Sequence, residues 1–161
     1  MLRAEEPSPT WVNQPQNPPA VEDHGRAVTS TAPAAAWYRR AQRAQDWPGT
    51  TSALSSAVDA DPSFAVAAAD LDAVTGTANR GAGRHEMPWE RHHVEVVRTA
   101  AGGDGRRAAD LLREHLATVG CDPIALRITA RLLCAAGAGD EINDLTAQLP
   151  RCHGGEWPYS S

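Results

Sequence analysis

Three imidazoles and two carboxylates fall within nine residues, His85-Glu86-Met87-Pro88-Trp89-Glu90-Arg91-His92-His93, enough of the right types for a zinc or iron site. The spacing does not suit one. A helical metal pair needs histidines at i,i+4, whereas the adjacent His92 and His93 diverge by ~100° around a helix. Pro88 also separates His85 and Glu86 from the helix that follows. His93 shares a helical face with Trp89 and Val97, which reads as a buried, hydrogen-bonded structural histidine. Cys152-His153 could act with Cys121 or Cys134, as a thiol nucleophile with its base or as soft ligands. Cys134, however, lies in an apolar helical stretch and reads as a small core residue. Cys152-His153-Gly154-Gly155 sits in a tail where nothing local would hold catalytic geometry. His115 falls inside the stripe Leu111, Leu112, His115, Leu116 and reads as a core histidine rather than a general base. Neither Gly81-Ala82-Gly83-Arg84 nor Gly102-Gly103-Asp104-Gly105 makes a phosphate loop, since the first follows no strand and the second is followed by Arg-Arg. No catalytic residue, metal ligand or cofactor is assigned, and the chain is not read as an enzyme.

The elements that must position these residues are helices. At 161 residues the chain suits one domain with a modest core. Ala dominates, Phe occurs once, and no strand-like runs of β-branched residues are present, which favours thin helices packed through small side chains. All 15 basic residues are Arg, and the formal charge of −5 argues against an electrostatic nucleic-acid binder. Three cysteines at spacings of 13 and 18 fit neither a disulfide framework nor a CxxC zinc pair. No apolar stretch approaches the ~18 residues of a membrane span, and the N-terminus lacks a hydrophobic signal core. The expectation is a soluble cytoplasmic protein with reduced thiols.

Residues 1–32, with five of the 12 prolines by position 19, read as a disordered tail. Residues 33–149 read as a helical domain and 150–161 as a C-terminal tail. Within the domain the stripes are Ala34, Trp37, Tyr38, Ala41; Leu54, Ala57, Val58; Phe64, Ala67, Ala68, Leu71; Trp89, His93, Val96, Val97; Ala108, Leu111, Leu112, His115, Leu116; Ile124, Ile128, Leu132; and Ile142, Leu145, Leu149. Asp46-Trp47-Pro48-Gly49 is expected to break the first helix, Pro62 to open the third and Pro88 the fourth. The stretch 76–87 is the longest internal loop. Seven helices joined mostly by short turns imply antiparallel hairpins side by side.

Trp37-Tyr38, Gln45-Asp46-Trp47-Pro48-Gly49, Ala57 and the closing Asp61-Pro62 resemble a tetratricopeptide repeat, although Tyr38 stands where a glycine is usual and Ala41 where an aromatic is usual. A second unit from Arg91 to Pro123 keeps the Gly103-Asp104 turn and Ala108. A third, from Pro123 to Leu149, has Gly139-Asp140 as its landmark, 36 residues beyond the second turn. Trp89 to Val97 followed by the Gly-Asp turn also looks like divergent actinobacterial members of that superfamily. The resemblance implies an all-α fold, a short TPR-like α-solenoid of stacked antiparallel hairpins. It also implies a concave face that binds a peptide or helix of a partner protein. Arg40, Arg43, Arg91, Glu95, Arg98, Arg127 and Arg131 would line that face and suit an acidic segment or a C-terminal carboxylate. The competing expectations are a metal or small-molecule site around His85–His93, or a remnant of a longer solenoid.

Overall fold

The computed structural model of the chain describes residues 20–22, 25–77, 83 and 87–148. Among these residues the fold is all-α, with seven helices: α1 Ala32–Arg43, α2 Trp47–Ala60, α3 Ala65–Thr75, α4 Pro88–Ala101, α5 Gly105–Val119, α6 Pro123–Ala135 and α7 Gly139–Gln148. Their starts follow local chemistry. Proline occupies the first turn of α1, α2, α4 and α6, where its missing N–H is no loss. Asp46, Asp104 and Asp122 cap α2, α5 and α6 with their carboxylates. Gly76 ends α3 in the left-handed region, at φ 69°, as expected of a helix-stopping glycine.

Two boundaries differ from expectation. The first helix ends before Asp46 as expected, but Trp47-Pro48-Gly49 is more than a break. It is the first turn of α2, because the Asp46 carboxylate accepts the Gly49 N–H at 2.6 Å and starts the helix there. Pro62 does not open α3: Asp61 Oδ1 instead accepts the N–H and hydroxyl of Ser63, holding a turn that delays the helix to Ala65.

Helices α1 and α2 form one hairpin, α4 and α5 a second, and α6 and α7 a third, with α3 between α2 and α4. Helix α6 departs from simple side-by-side stacking, since it touches α1 and α3 as well as α4, α5 and α7. The main core joins the first helix to the sixth. It contains Tyr38 of α1, Leu54 of α2, Phe64, Leu71 of α3, Val97 of α4, and Ile124 and Ile128 of α6. Tyr38 and Phe64 meet edge to face at 5.2 Å.

The stretch 1–32 is not a tail throughout. Residues 20–22 and 25–31 fold against the helical body, with an isolated antiparallel bridge between Val21 and Ala27 and with Val28 buried. Polar anchors explain this. Trp89 Nε1 donates to Ala27 O at 2.9 Å, and the buried Glu90 accepts from the Thr29 N–H at 2.6 Å and its hydroxyl at 2.7 Å. The expectations for residues 1–19, His85, Glu86, Cys152, His153 and the C-terminal tail lie outside the described residues.

Candidate functional site

A line of ionisable side chains runs through the centre of the protein and joins five elements. Tyr38 of α1 donates its hydroxyl to Asp70 Oδ2 of α3 at 2.9 Å. Asp70 Oδ1 lies 2.7 Å from His93 Nε2 on α4, and His93 Nδ1 lies 2.7 Å from Asp122 Oδ2 at the cap of α6. The same Oδ2 lies 2.9 Å from His115 Nε2 on α5, while Asp122 Oδ1 accepts the Ala125 N–H at 3.2 Å. All five side chains are fully buried.

Protonation follows from this geometry. His93 faces a carboxylate at each nitrogen, so it donates twice and is an imidazolium. Burial alone would push its pKa down, but Asp70 and Asp122 outweigh that and hold it at about 10. Burial would likewise raise Asp122, yet His93 and the His115 hydrogen bond keep it well below the usual carboxylate range. Burial wins at Asp70, whose pKa is raised despite His93 and Tyr38. It also wins at His115, whose pKa is lowered despite Asp122. His115 is therefore neutral, its Nε2–H donating to the Asp122 carboxylate, and its buried Nδ1 has no hydrogen-bond partner.

Arg26 brings a counter-charge from the N-terminal segment. Its guanidinium bonds Glu22 at 3.1 Å and Cys121 O at 2.8 Å, approaches Asp122 Oδ2 to 4.0 Å and stacks 4.6 Å over Trp89. Glu22 is also buried. Burial would raise its pKa, but bonds from Gln42 and Arg26 hold it low.

His93, His115 and Asp122 are close enough together to suggest a metal centre. Their contacts of 2.7–2.9 Å are hydrogen-bond lengths with protons between the atoms, and His93 has no lone pair left to give. This inner trio is a proton-sharing network that holds helices together. His93 is the structural histidine its face suggested. His115 is a core histidine as expected, fully buried yet backing onto a cleft. It forms part of the wall of a cleft of about 300 Å³ between the start of α4 and the end of α5, with Pro88, Trp89, Arg91, His92, Glu95, Thr118 and Val119. His92 stacks edge to face on His115 at 5.3 Å, and its Nε2 lies 3.9 Å from Glu114.

The arginines expected on one binding face divide between two regions. Arg91 and Glu95 line the α4–α5 cleft, and Arg98 is exposed further along α4. Arg127 turns toward the α1–α2 turn, where it donates to Ala44 O at 2.9 Å and Thr50 Oγ1 at 3.2 Å. It lies 5.0 Å from Trp47, and Arg131 lies 4.6 Å from the same ring. Arg40 stacks 5.4 Å over Trp37, and Arg43 is exposed at the end of α1.

Cys134 is exposed rather than in the core, because it falls on the outward side of α6, away from the buried Ala125 and Thr129. Cys121 is disulfide-bonded, contrary to the expectation of reduced thiols. No helix among the described residues is long and apolar enough to cross a membrane.

Asp70 escaped the sequence reading although a signal was present: it is a lone carboxylate within the apolar run Ala65-Val66-Ala67-Ala68-Ala69-Asp70-Leu71. A charge there needs a buried partner. Comparison with protein-family models, with curated proteins and with solved structures finds no match for this chain.

Proposed function

We propose that the chain is a protein-interaction module of tetratricopeptide-like helical hairpins that binds an acidic segment of a partner protein. The observation that supports this best is a run of tryptophan–arginine stacks along α1, the start of α2 and α6. Trp37 is 38 % exposed, the only large hydrophobic side chain so exposed among the described residues, and Arg40 covers it. One turn further along α1, Ala44 O holds Arg127, which shares Trp47 with Arg131. Stacking occupies the face of a guanidinium and leaves its edge N–H groups for carboxylates. Arginine and tryptophan are also the residues that dominate binding energy at protein interfaces. Arg40, Arg43 and Arg131 are the residues best placed to meet the partner, and Arg127 orients the surface from within.

A cytoplasmic location belongs to the same proposal and requires the Cys121 disulfide to be reduced there. The test is binding of the full-length chain to an array of acidic peptides and their charge-neutral counterparts. Trp37→Ala, Arg40→Ala and Arg131→Ala should each weaken binding of an acidic peptide by about tenfold or more. Equal retention of acidic and neutral peptides, or undiminished binding by the triple variant, would refute this reading.

A further inference from the structure

We propose that the cleft between α4 and α5 binds one divalent transition-metal ion of the zinc class. The ligands are His92 and His115, with a carboxylate from Glu95 or Glu114. The site is separate from the tryptophan–arginine surface and does not depend on it.

The first argument is the state of His115. Its Nε2–H is given to Asp122, so Nδ1 carries the lone pair, and that atom is buried, unpartnered and part of a residue that walls the cleft. An imidazole whose second nitrogen donates to a carboxylate is the arrangement in which protein histidines hold metals, because the carboxylate fixes the tautomer and raises ligand basicity. An orphaned nitrogen inside a protein is otherwise a cost with no return.

The second argument is distance. With metal–nitrogen bonds of ~2.0–2.1 Å, two imidazoles on one tetrahedral ion place their ring centres roughly 5.2 Å apart. The centres of His92 and His115 are 5.3 Å apart. The half-buried His92 has only to rotate its ring to present a nitrogen.

Ligand supply and charge complete the case. Glu95 follows His92 by one helical turn and lines the cleft, and Glu114 Oε2 stands 3.9 Å from His92 Nε2. The carboxylates of Glu95 and Glu114 beside His92 favour a cation there. Arg91 on the rim opposes it, and the two carboxylates outnumber that charge. The space between the helices leaves a coordination position for water or a small ligand.

The test is calorimetric titration of zinc into chelator-stripped full-length protein. One equivalent should bind. His92→Gln and the double Glu95→Gln/Glu114→Gln variant, which change exposed or half-buried side chains, should each weaken binding at least about 10–100-fold, the range known for lost supporting contacts. His115→Gln should abolish it; if that variant does not fold, His92→Gln decides. Cobalt(II) in place of zinc should give a tetrahedral absorption band that His92→Gln removes. Absence of binding, or equal affinity in the wild type and His92→Gln, would overturn the proposal. In the latter case the metal would sit on other histidines or thiols.

Discussion

Asp122 Oδ2 lies within hydrogen-bond reach of two imidazoles while its Oδ1 caps α6, so one side chain both starts a helix and closes the buried chain of charges. Removing it leaves the His93 imidazolium paired on one side only and His115 Nε2 without an acceptor. Breaking a buried pair in this way costs about 3–5 kcal/mol, because the remaining charge stays desolvated. Asp122→Ala should therefore lower unfolding free energy by about that amount in urea titrations at pH 6. A loss below about 1 kcal/mol would mean that the site is wet or the charges are not coupled. His93 can be examined directly: at pH 8 its side-chain nitrogens should both be protonated by NMR, since the flanking carboxylates hold its pKa at about 10. A neutral tautomer at that pH would contradict the assignment.

At the scale of helices, the proteins's turns are built from short-range carboxylate caps and prolines, each acting within a few residues. Asp46 is the clearest case. Its Oδ1 accepts the Gly49 N–H at 2.6 Å, and Thr50 donates its hydroxyl to Asp46 O at 2.7 Å. Because that turn also places Trp47 beneath Arg127 and Arg131, a frayed start of α2 would disturb the stacked surface. Asp46→Ala should cost about 0.5–2 kcal/mol, read as a lower denaturation midpoint. Unchanged stability would show that Pro48 and the Thr50 bond suffice to start α2.

For the molecule as a whole, the buried chain links α1, α3, α4, α5 and α6, and α6 reaches back to α1. Terminal hairpins are thus tied to the middle, unlike an open array in which each unit touches only its neighbours. Stability should depend on pH in a definite direction. His93 has a folded pKa near 10 against 6.5 for the free group. Its contribution is complete below about pH 6.5 and is lost as pH rises through about 10, by up to ~1.4 kcal/mol per unit. Asp122, lowered, contributes above its ordinary pKa of 3.8 and loses that contribution as pH falls through its depressed value. Asp70, raised, runs in the same direction as His93, losing stability as pH rises through its folded value, and so opposes the pH dependence of Asp122 alone. Urea titrations in chelator-containing buffer should show stability declining from pH 6.5 to 10. A flat profile across that range would exclude an imidazolium at the centre.

Helix positions, most caps and the all-α class were legible in the chain because they arise from contacts within three or four residues: apolar spacing, an aspartate before a free N–H, a proline in a first turn. His93 and His115 were likewise readable as interior residues from the stripes they share. Their partners were not. Asp70 meets His93 across 23 residues and Asp122 meets it across 29, while Thr29 reaches Glu90 across 61. Periodicity places a side chain on a face but does not say which distant face it will meet. The folding of residues 20–22 and 25–31, the inward turn of Arg127 and the pairing of His92 with His115 beside a cleft come from packing alone, where buried charge must find its complement or remain unsolvated.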